Sequence, residues 1–350
     1  MYRDVFIKEF SCLGREILSY VDNAIGCIGS NEELLSNAIL NSFKNNDLFT
    51  PYMQRNALKT IALDFLAESQ LSEWTYLYSD KIGESNSWVL VVMAGNLPLV
   101  GFHDLLAIMA SGKKAIVKLS SKDKYLLPAL MQILSKINVY WKGRVTFTET
   151  IEINPNILIA TGGDQTAALF KSKFGNIPNL IRGAKMSVAI LKGDESNQEL
   201  ELLGGDLFLY FGMGCRSVST LLLPDGYDLG RLVPMFTLFS QITADSHTFN
   251  WAYRYQKALC LMKKEWFYDG GFFIFMKNAG FPPPISVIGI VYYSSLIEID
   301  NFLNINEKLV QCVVNYKWNG SFIKPGQAQN PSIDNYADGV NSLEFLVKNN

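Results

Sequence analysis

Two histidines, His103 and His247, and five cysteines, Cys12, Cys27, Cys215, Cys260 and Cys312, are spread over 350 residues. No Cys-x-x-Cys pair and no Cys/His cluster occurs, so no zinc or other metal site is expected. The odd, scattered cysteine set also argues against a disulfide framework and for a reducing, cytoplasmic home. There is no long basic run and the formal net charge is −2, which excludes nucleic acid as an expected partner. No internal repeat or low-complexity linker is present. The first residues, Met-Tyr-Arg-Asp-Val-Phe-Ile-Lys, mix both charges and lack the order of a signal peptide. The apolar stretch Trp88–Ala110 approaches membrane-span length. It is broken by Gly95, Asn96, Pro98, Gly101, His103 and Asp104, so a strand, a turn and a helix fit it better than one span. The Gly-x-Gly-x-x-Gly dinucleotide fingerprint is absent after the first strand.

What is present suits large buried cores. Hydrophobic residues make up 49% and charged residues 18% of the chain. Its length predicts two domains. Residues 1–75 read as helical, with apolar residues at three- and four-residue spacing around Leu13, Ile17, Leu18 and Val21, and around Leu58, Ile61, Ala62 and Phe65. Short apolar runs then alternate with amphipathic segments. Strands are expected at 88–93, 114–118, 145–148, 157–160, 186–191, 218–223 and 285–293. Helices are expected at about 100–111, from a cap at Ser120 or Ser121 through Ile137, from 162–164 onward, and near 196–203. This alternation predicts an α/β fold whose parallel sheets are covered on both faces. Ligands of such sheets sit beyond the carboxyl ends of the strands, here the loops 95–98, 119–122 and 161–164.

Cys215 lies in Phe211-Gly-Met-Gly-Cys-Arg-Ser-Val-Ser219. Glycines on its N-terminal side allow a substrate carbonyl close to the sulfur. Arg216 and nearby backbone amides can lower its pKa below the ordinary value of about 8.5 and so raise the nucleophilic thiolate fraction. On this local pattern a small buried hydrophobe is the competing reading, and it is the expected one for the other four cysteines. Lys118 ends a strand, where a lysine can reach ribose or phosphate or simply remain solvated.

In their order along the chain, these pieces resemble the acyl-CoA reductase branch of the aldehyde dehydrogenase superfamily, which includes the fatty acyl reductase of bacterial luminescence systems. The resemblance covers roughly residues 85–345. It implies an aldehyde dehydrogenase-like fold of two doubly wound parallel-sheet domains with a helical N-terminal segment. The boundaries expected are 1–185 for the helical segment and cofactor domain, 186–318 for the catalytic domain and 319–350 for a C-terminal segment. Ala94-Gly-Asn-Leu-Pro-Leu99 resembles the turn whose amide forms the oxyanion hole, which implicates Asn96. Gly112-Lys-Lys-Ala-Ile-Val-Lys-Leu-Ser-Ser121 resembles the cofactor-lysine segment and places Lys118 on the ribose. Thr161-Gly-Gly-Asp164 resembles the pyrophosphate turn, Gly162 and Gly163, at a helix N-terminus. Gly183-Ala-Lys185 resembles a Gly-Gly-Lys run, and Cys215 falls at the nucleophile. Phe281-Pro-Pro283 resembles a later Phe-Gly-Pro. Lys324-Pro-Gly-Gln-Ala-Gln-Asn-Pro331 and Tyr336-Ala-Asp-Gly-Val340 resemble a C-terminal signature of the reductases.

The departures refine what the resemblance implies. Ile181 stands where aldehyde-oxidising relatives carry a water-activating glutamate, and without a base hydrolysis of a thioester is slow. A ribose-binding glutamate aligns near Ala279. Ser121, followed by Lys122, occupies the place of a carboxylate that repels a 2′-phosphate, which favours NADPH. The expected activity is reduction of an acyl thioester, a fatty acyl-CoA or related donor, to an aldehyde through a Cys215 acyl-enzyme. His247 is the candidate proton donor, with a structural histidine as its alternative. A carrier-protein thioester or acyl phosphate as donor, and a non-catalytic subunit, are the rival readings. A homo-oligomer or an acyl-transfer partner protein is left open by the resemblance.

Overall fold

A computed structural model of the chain describes residues 2–22 and 29–349. The chain packs as two compact units, Met1–Ala184 with Pro331–Asn350, and Lys185–Asn330. Cys27 lies outside the described residues.

The first unit opens with α1 (Tyr2–Asp22), α2 (Ser30–Asn45), α3 (Pro51–Thr60) and α4 (Glu68–Tyr76). In α1 the buried residues Phe6, Phe10, Leu13 and Ile17 recur every three or four positions, giving one apolar stripe. Five strands follow: β1 (Trp88–Val92), β2 (Lys114–Lys118), β3 (Val145–Thr148), β4 (Ile157–Thr161) and β5 (Asn179–Arg182). Their spatial order is β3-β2-β1-β4-β5 and every pairing is parallel. Between them run α5 (Phe102–Ala110), α6 (Leu126–Ile137) and α7 (Asp164–Phe174). Every residue of α5 except His103 is buried, as befits a helix apolar on nearly all sides. The sheet order reverses at β1, so the switch point opens beyond the carboxyl ends of β1 and β4.

The second unit contains β6 (Met186–Ile190), α8 (Asn197–Phe208), β7 (Val218–Pro224), α9 (Leu232–Thr237), α10 (Ser240–Ala244), α11 (His247–Lys263), β8 (Phe267–Asp269), β9 (Ile274–Lys277), β10 (Val287–Tyr293), α12 (Leu296–Ile305) and β11 (Val310–Val314). The sheet order is β11-β6-β7-β10-β9-β8, parallel except for β8 against β9. Phe208 sits among Phe236, Phe239, Phe272 and Phe273, its ring centroid 5.0 Å from that of Phe273. Phe208, Tyr210 and Phe211 are all buried, so this aromatic run fills core. A hairpin, β12 (Lys317–Trp318) and β13 (Ser321–Phe322), follows. The last helix, α13 (Ser342–Lys348), packs on α5 in the first unit.

Two helix boundaries differ from expectation. The helix expected from a Ser120 or Ser121 cap begins only at Leu126. Ser120 Oγ instead accepts from the Lys122 N–H, Ser120 bridges to Asp123, and Asp123 turns inward. The helix near 196–203 continues to Phe208 through Gly204 and Gly205. A Cβ on Gly204 would lie 2.3 Å from the Phe239 ring, so this glycine serves close packing rather than termination.

Candidate active site

The register of the first sheet collects the residues expected to hold a cofactor. Val92 pairs with Lys118 on one side and with Ala160 on the other, and Thr161 pairs with Arg182. The Asn96 turn, Lys118, Gly162, Gly163 and Gly183 therefore leave one carboxyl edge. Ser121 and Lys122 follow β2 at the same edge and are exposed.

The Asn96 turn is tightly braced. Leu99 has φ 59°, a strained value for a branched residue. Its N–H donates to Asp123 Oδ2 at 2.7 Å. Burial pushes the Asp123 carboxyl up to about 7, against the pull of that N–H. A Cβ on Gly95 would lie 2.2 Å from Ser120 Oγ, and one on Gly101 2.4 Å from the Met93 side chain. Both glycines are required by close approach.

At the end of β4, Gly162 N–H donates to Arg182 O, and Gly163 is the N-cap of α7. A Cβ at Gly163 would meet nothing within 4 Å, so the space before the helix N-terminus is open. Helix N-termini carry unsatisfied N–H groups and suit anions. Ile181 packs with Phe170 and Phe174 in an apolar cluster on the sheet. Its neighbour Arg182 is buried and its Nη1 lies 2.6 Å from Asp104 Oδ2. Gly183 is exposed directly after this pair.

In the second unit, Phe211 (φ 56°) and Gly212 (φ 72°) reverse the chain between α8 and β7. Cys215 follows, partly exposed. Ser187 Oγ donates to Cys215 O at 2.8 Å, accepts from Cys312 N–H at 3.2 Å and lies 2.9 Å from Cys312 Sγ. Cys260 and Cys312 are buried, and burial pushes both thiols up. Among the described residues Cys215 thus differs from these two in exposure, while Cys12 lies partly exposed on α1.

His247 opens α11 and is exposed, beside Asn250, Trp251 and Arg254. Phe249 in the same helix packs its ring 4.7 Å from Phe211 in the Cys215 loop. His103 has a structural setting: it is enclosed by Phe65, Trp74 and Tyr336, its Nε2 is 2.7 Å from Ile333 O, and burial holds its pKa below the usual value. Ala279 and Phe281 line a cavity of about 440 Å³ with Thr220, Gly289 and Phe302. Among the described residues no group of three His, Cys, Asp or Glu side chains could hold a metal, and no helix is long and apolar enough to cross a membrane.

Sequence reasoning missed Asp123, Ser187 and Asp206. A carboxylate inside the apolar run Leu202-Leu-Gly-Gly-Asp-Leu-Phe208 was the available signal for Asp206, which is buried. Ser187 and Asp123 carry no such signal, because their partners are remote in sequence.

Comparison with known proteins gives consistent results. The acyl-CoA reductase (LuxC) family model matches residues 25–231. A long-chain acyl-protein thioester reductase of Aliivibrio fischeri is 25% identical over 161 residues, a match taking in 41% of this chain and 32% of that relative. Among solved structures, aldehyde dehydrogenase 21 of Physcomitrella patens in complex with the reaction product succinate aligns with TM-score 0.60 at 12% identity, covering 100% of this chain and 89% of that one. An acetylating aldehyde dehydrogenase of Geobacillus thermoglucosidasius aligns with TM-score 0.60 at 10% identity, covering 92% and 81%. At these identities the likeness shows the fold, which is aldehyde dehydrogenase-like.

Proposed function

Because this chain belongs to the acyl-CoA reductase (LuxC) family, we propose that it reduces an acyl thioester, a fatty acyl-CoA in the first reading, to an aldehyde with NADPH. The observation that carries the reading is Cys215, a partly exposed thiol on a glycine turn whose backbone is tied down by Ser187. The matched span also contains Asn96, Lys118, Gly162, Gly163 and Gly183.

The residues present fit a nicotinamide dinucleotide. Open space before the α7 N-terminus at Gly163 suits a pyrophosphate, and Lys118 at the same edge suits the ribose. Lys122, with Ser121 where a carboxylate would repel, suits a 2′-phosphate. Gly183 belongs to the same proposed cofactor edge. When bound, the nicotinamide supplies hydride to the acyl carbonyl carbon.

The chain's own residues do the rest. Cys215 Sγ, as thiolate, forms a bond to the thioester carbonyl carbon, and the bond to the departing thiol breaks. The Cys215 N–H and the Asn96 amide hold the charge on the carbonyl oxygen, worth about 3–4 kcal/mol per donor. Sγ retains the acyl group until reduction and then leaves as thiolate, releasing aldehyde. His247 is the proposed proton donor to the departing thiol. With Ile181 packed in an apolar cluster, no carboxylate at that position activates water, so the acyl group waits for reduction.

Mass spectrometry after incubation with acyl-CoA and no cofactor tests the reading. Wild-type protein gains one acyl group and Cys215→Ala gains none. Equal uptake by both, or none by wild type, sinks it. A second reading, an acyl group borne on a protein, is favoured by the name of the Aliivibrio fischeri relative. NADPH oxidation measured with each donor separates the two.

A further inference from the structure

The segment Lys324–Asn330 consists of turns with no helix or strand, yet it is fastened within the second unit at several points. Asp206, on α8 and buried, accepts from Gly326 N–H through Oδ2 at 2.7 Å and from Ala328 N–H through Oδ1 at 3.0 Å. Arg216 Nε donates to Ala328 O at 2.6 Å. Gln329 Nε2 donates to Asp206 O at 3.2 Å and to Ser217 Oγ at 3.1 Å. Ser217 Oγ accepts from Gly214 N–H at 3.1 Å, and Ser217 N–H donates to Gly214 O at 3.0 Å. Gly214, Arg216 and Ser217 surround Cys215 in sequence.

The geometry has a direct chemical consequence. Gly214 C=O and Cys215 N–H belong to one planar peptide unit and point in opposite directions. Holding Gly214 O against Ser217 N–H therefore aims the Cys215 N–H, the donor expected to hold the oxyanion. Ser217 is itself held by Gln329. A buried carboxylate is costly unless hydrogen-bonded, and Asp206 meets that need with the backbone of this one segment. Gly326 sits at φ 82° with Leu202 3.1 Å from where a Cβ would be, so the segment is also fitted to α8.

We propose that Lys324–Asn330 is a strap that aims the Cys215 peptide N–H and thiol, with Asp206 and Gln329 as positioning residues. This rests on the reading of Cys215 as nucleophile.

Gln329→Met keeps the side-chain length and removes both donated bonds. Asp206→Asn keeps the shape and sets an amide N–H₂ against one of the backbone donors. Two rates are measured on cofactor-free protein by mass spectrometry: acylation of Cys215 by decanoyl-CoA, and its alkylation by iodoacetamide, which needs no oxyanion donor. The strap predicts an acylation rate at saturating thioester at least about ten-fold lower in Gln329→Met, with alkylation changed far less and melting temperature nearly unchanged. Wild-type acylation in a folded variant overturns the proposal. So does an equal fall in both rates, which marks a merely structural role. If wild-type Cys215 takes up no acyl group, the nucleophile reading fails separately. Hydrogen exchange then still tests the strap: faster exchange confined to residues 211–217 in Gln329→Met supports it, and unchanged exchange overturns it.

Discussion

Arg182 and Asp104 form a buried ion pair, Nη1 to Oδ2 at 2.6 Å, that ties β5 to α5 immediately before Gly183. Removing one member of such a pair strands a charge in the interior, at a cost of about 3–5 kcal/mol. Asp104→Ala is therefore expected to lower stability by that order, read from the chemical denaturation midpoint. Exchanging both residues for apolar ones of similar size should cost much less. Equal losses in the single and double variants would contradict this account.

The Asn96 turn makes a different kind of prediction. A methyl at Gly95 lands on the Ser120 side chain at 2.2–2.4 Å. Gly95→Ala is expected to cost about 1–3 kcal/mol and to displace the Asn96 amide. Asn96→Ala leaves the backbone in place and removes one of the two proposed oxyanion donors. It should slow Cys215 acylation by about 10²–10³-fold at nearly unchanged melting temperature. Rapid-quench acylation rates and thermal melts of the two variants check both statements.

Asp123 predicts a pH dependence. Its carboxyl is pushed from 3.8 up to about 7 by burial. Between those values the native state holds more protons than the unfolded one, so this group's contribution to stability is present at low pH and is lost as pH rises through about 7. Asp206, pushed up to about 7 chiefly by burial, acts in the same direction. Melting temperature should fall between about pH 5 and pH 8, and the fall should be smaller in Asp123→Asn. An identical pH slope in that variant would rule out Asp123 as a source.

Lys122 is the residue proposed to meet a 2′-phosphate. It is exposed, on the segment that follows β2. Lys122→Glu should lower the kcat/KM preference for NADPH over NADH by roughly five-fold, the worth of about 1 kcal/mol for an exposed charge pair. Steady-state kinetics with both cofactors measure it, and an unchanged ratio removes Lys122 from the 2′-phosphate.

Seven strands were legible as short apolar runs, whereas Asn179–Arg182, Phe267–Asp269, Ile274–Lys277 and Val310–Val314 were not. Trp88–Val92 and Met186–Ile190, buried on both faces, fall within a residue of their expected ends, and so does Lys114–Lys118, which is buried only at alternate positions. The start of α6 was not legible. A serine before an apolar stretch signals an N-cap locally, but Asp123, two residues later, is drawn inward by the Leu99 N–H from another loop. The end of α8 was misread because glycine interrupts a helix unless an aromatic ring needs the space, as Phe239 does at Gly204.

Cys215 and its ordered companions Asn96, Lys118, Gly162 and Gly163 were readable as candidates from sequence alone, because residue type and chain order are linear properties. The alignment of Lys118 with Val92 and Ala160 along one sheet edge, the hold of Asp206 on Gly326 and Ala328, and the hold of Gln329 on Ser217 were decided only by tertiary structure. Those contacts join residues separated by dozens to more than a hundred positions, and hydrogen bonds over such separations leave no periodicity for a sequence to display.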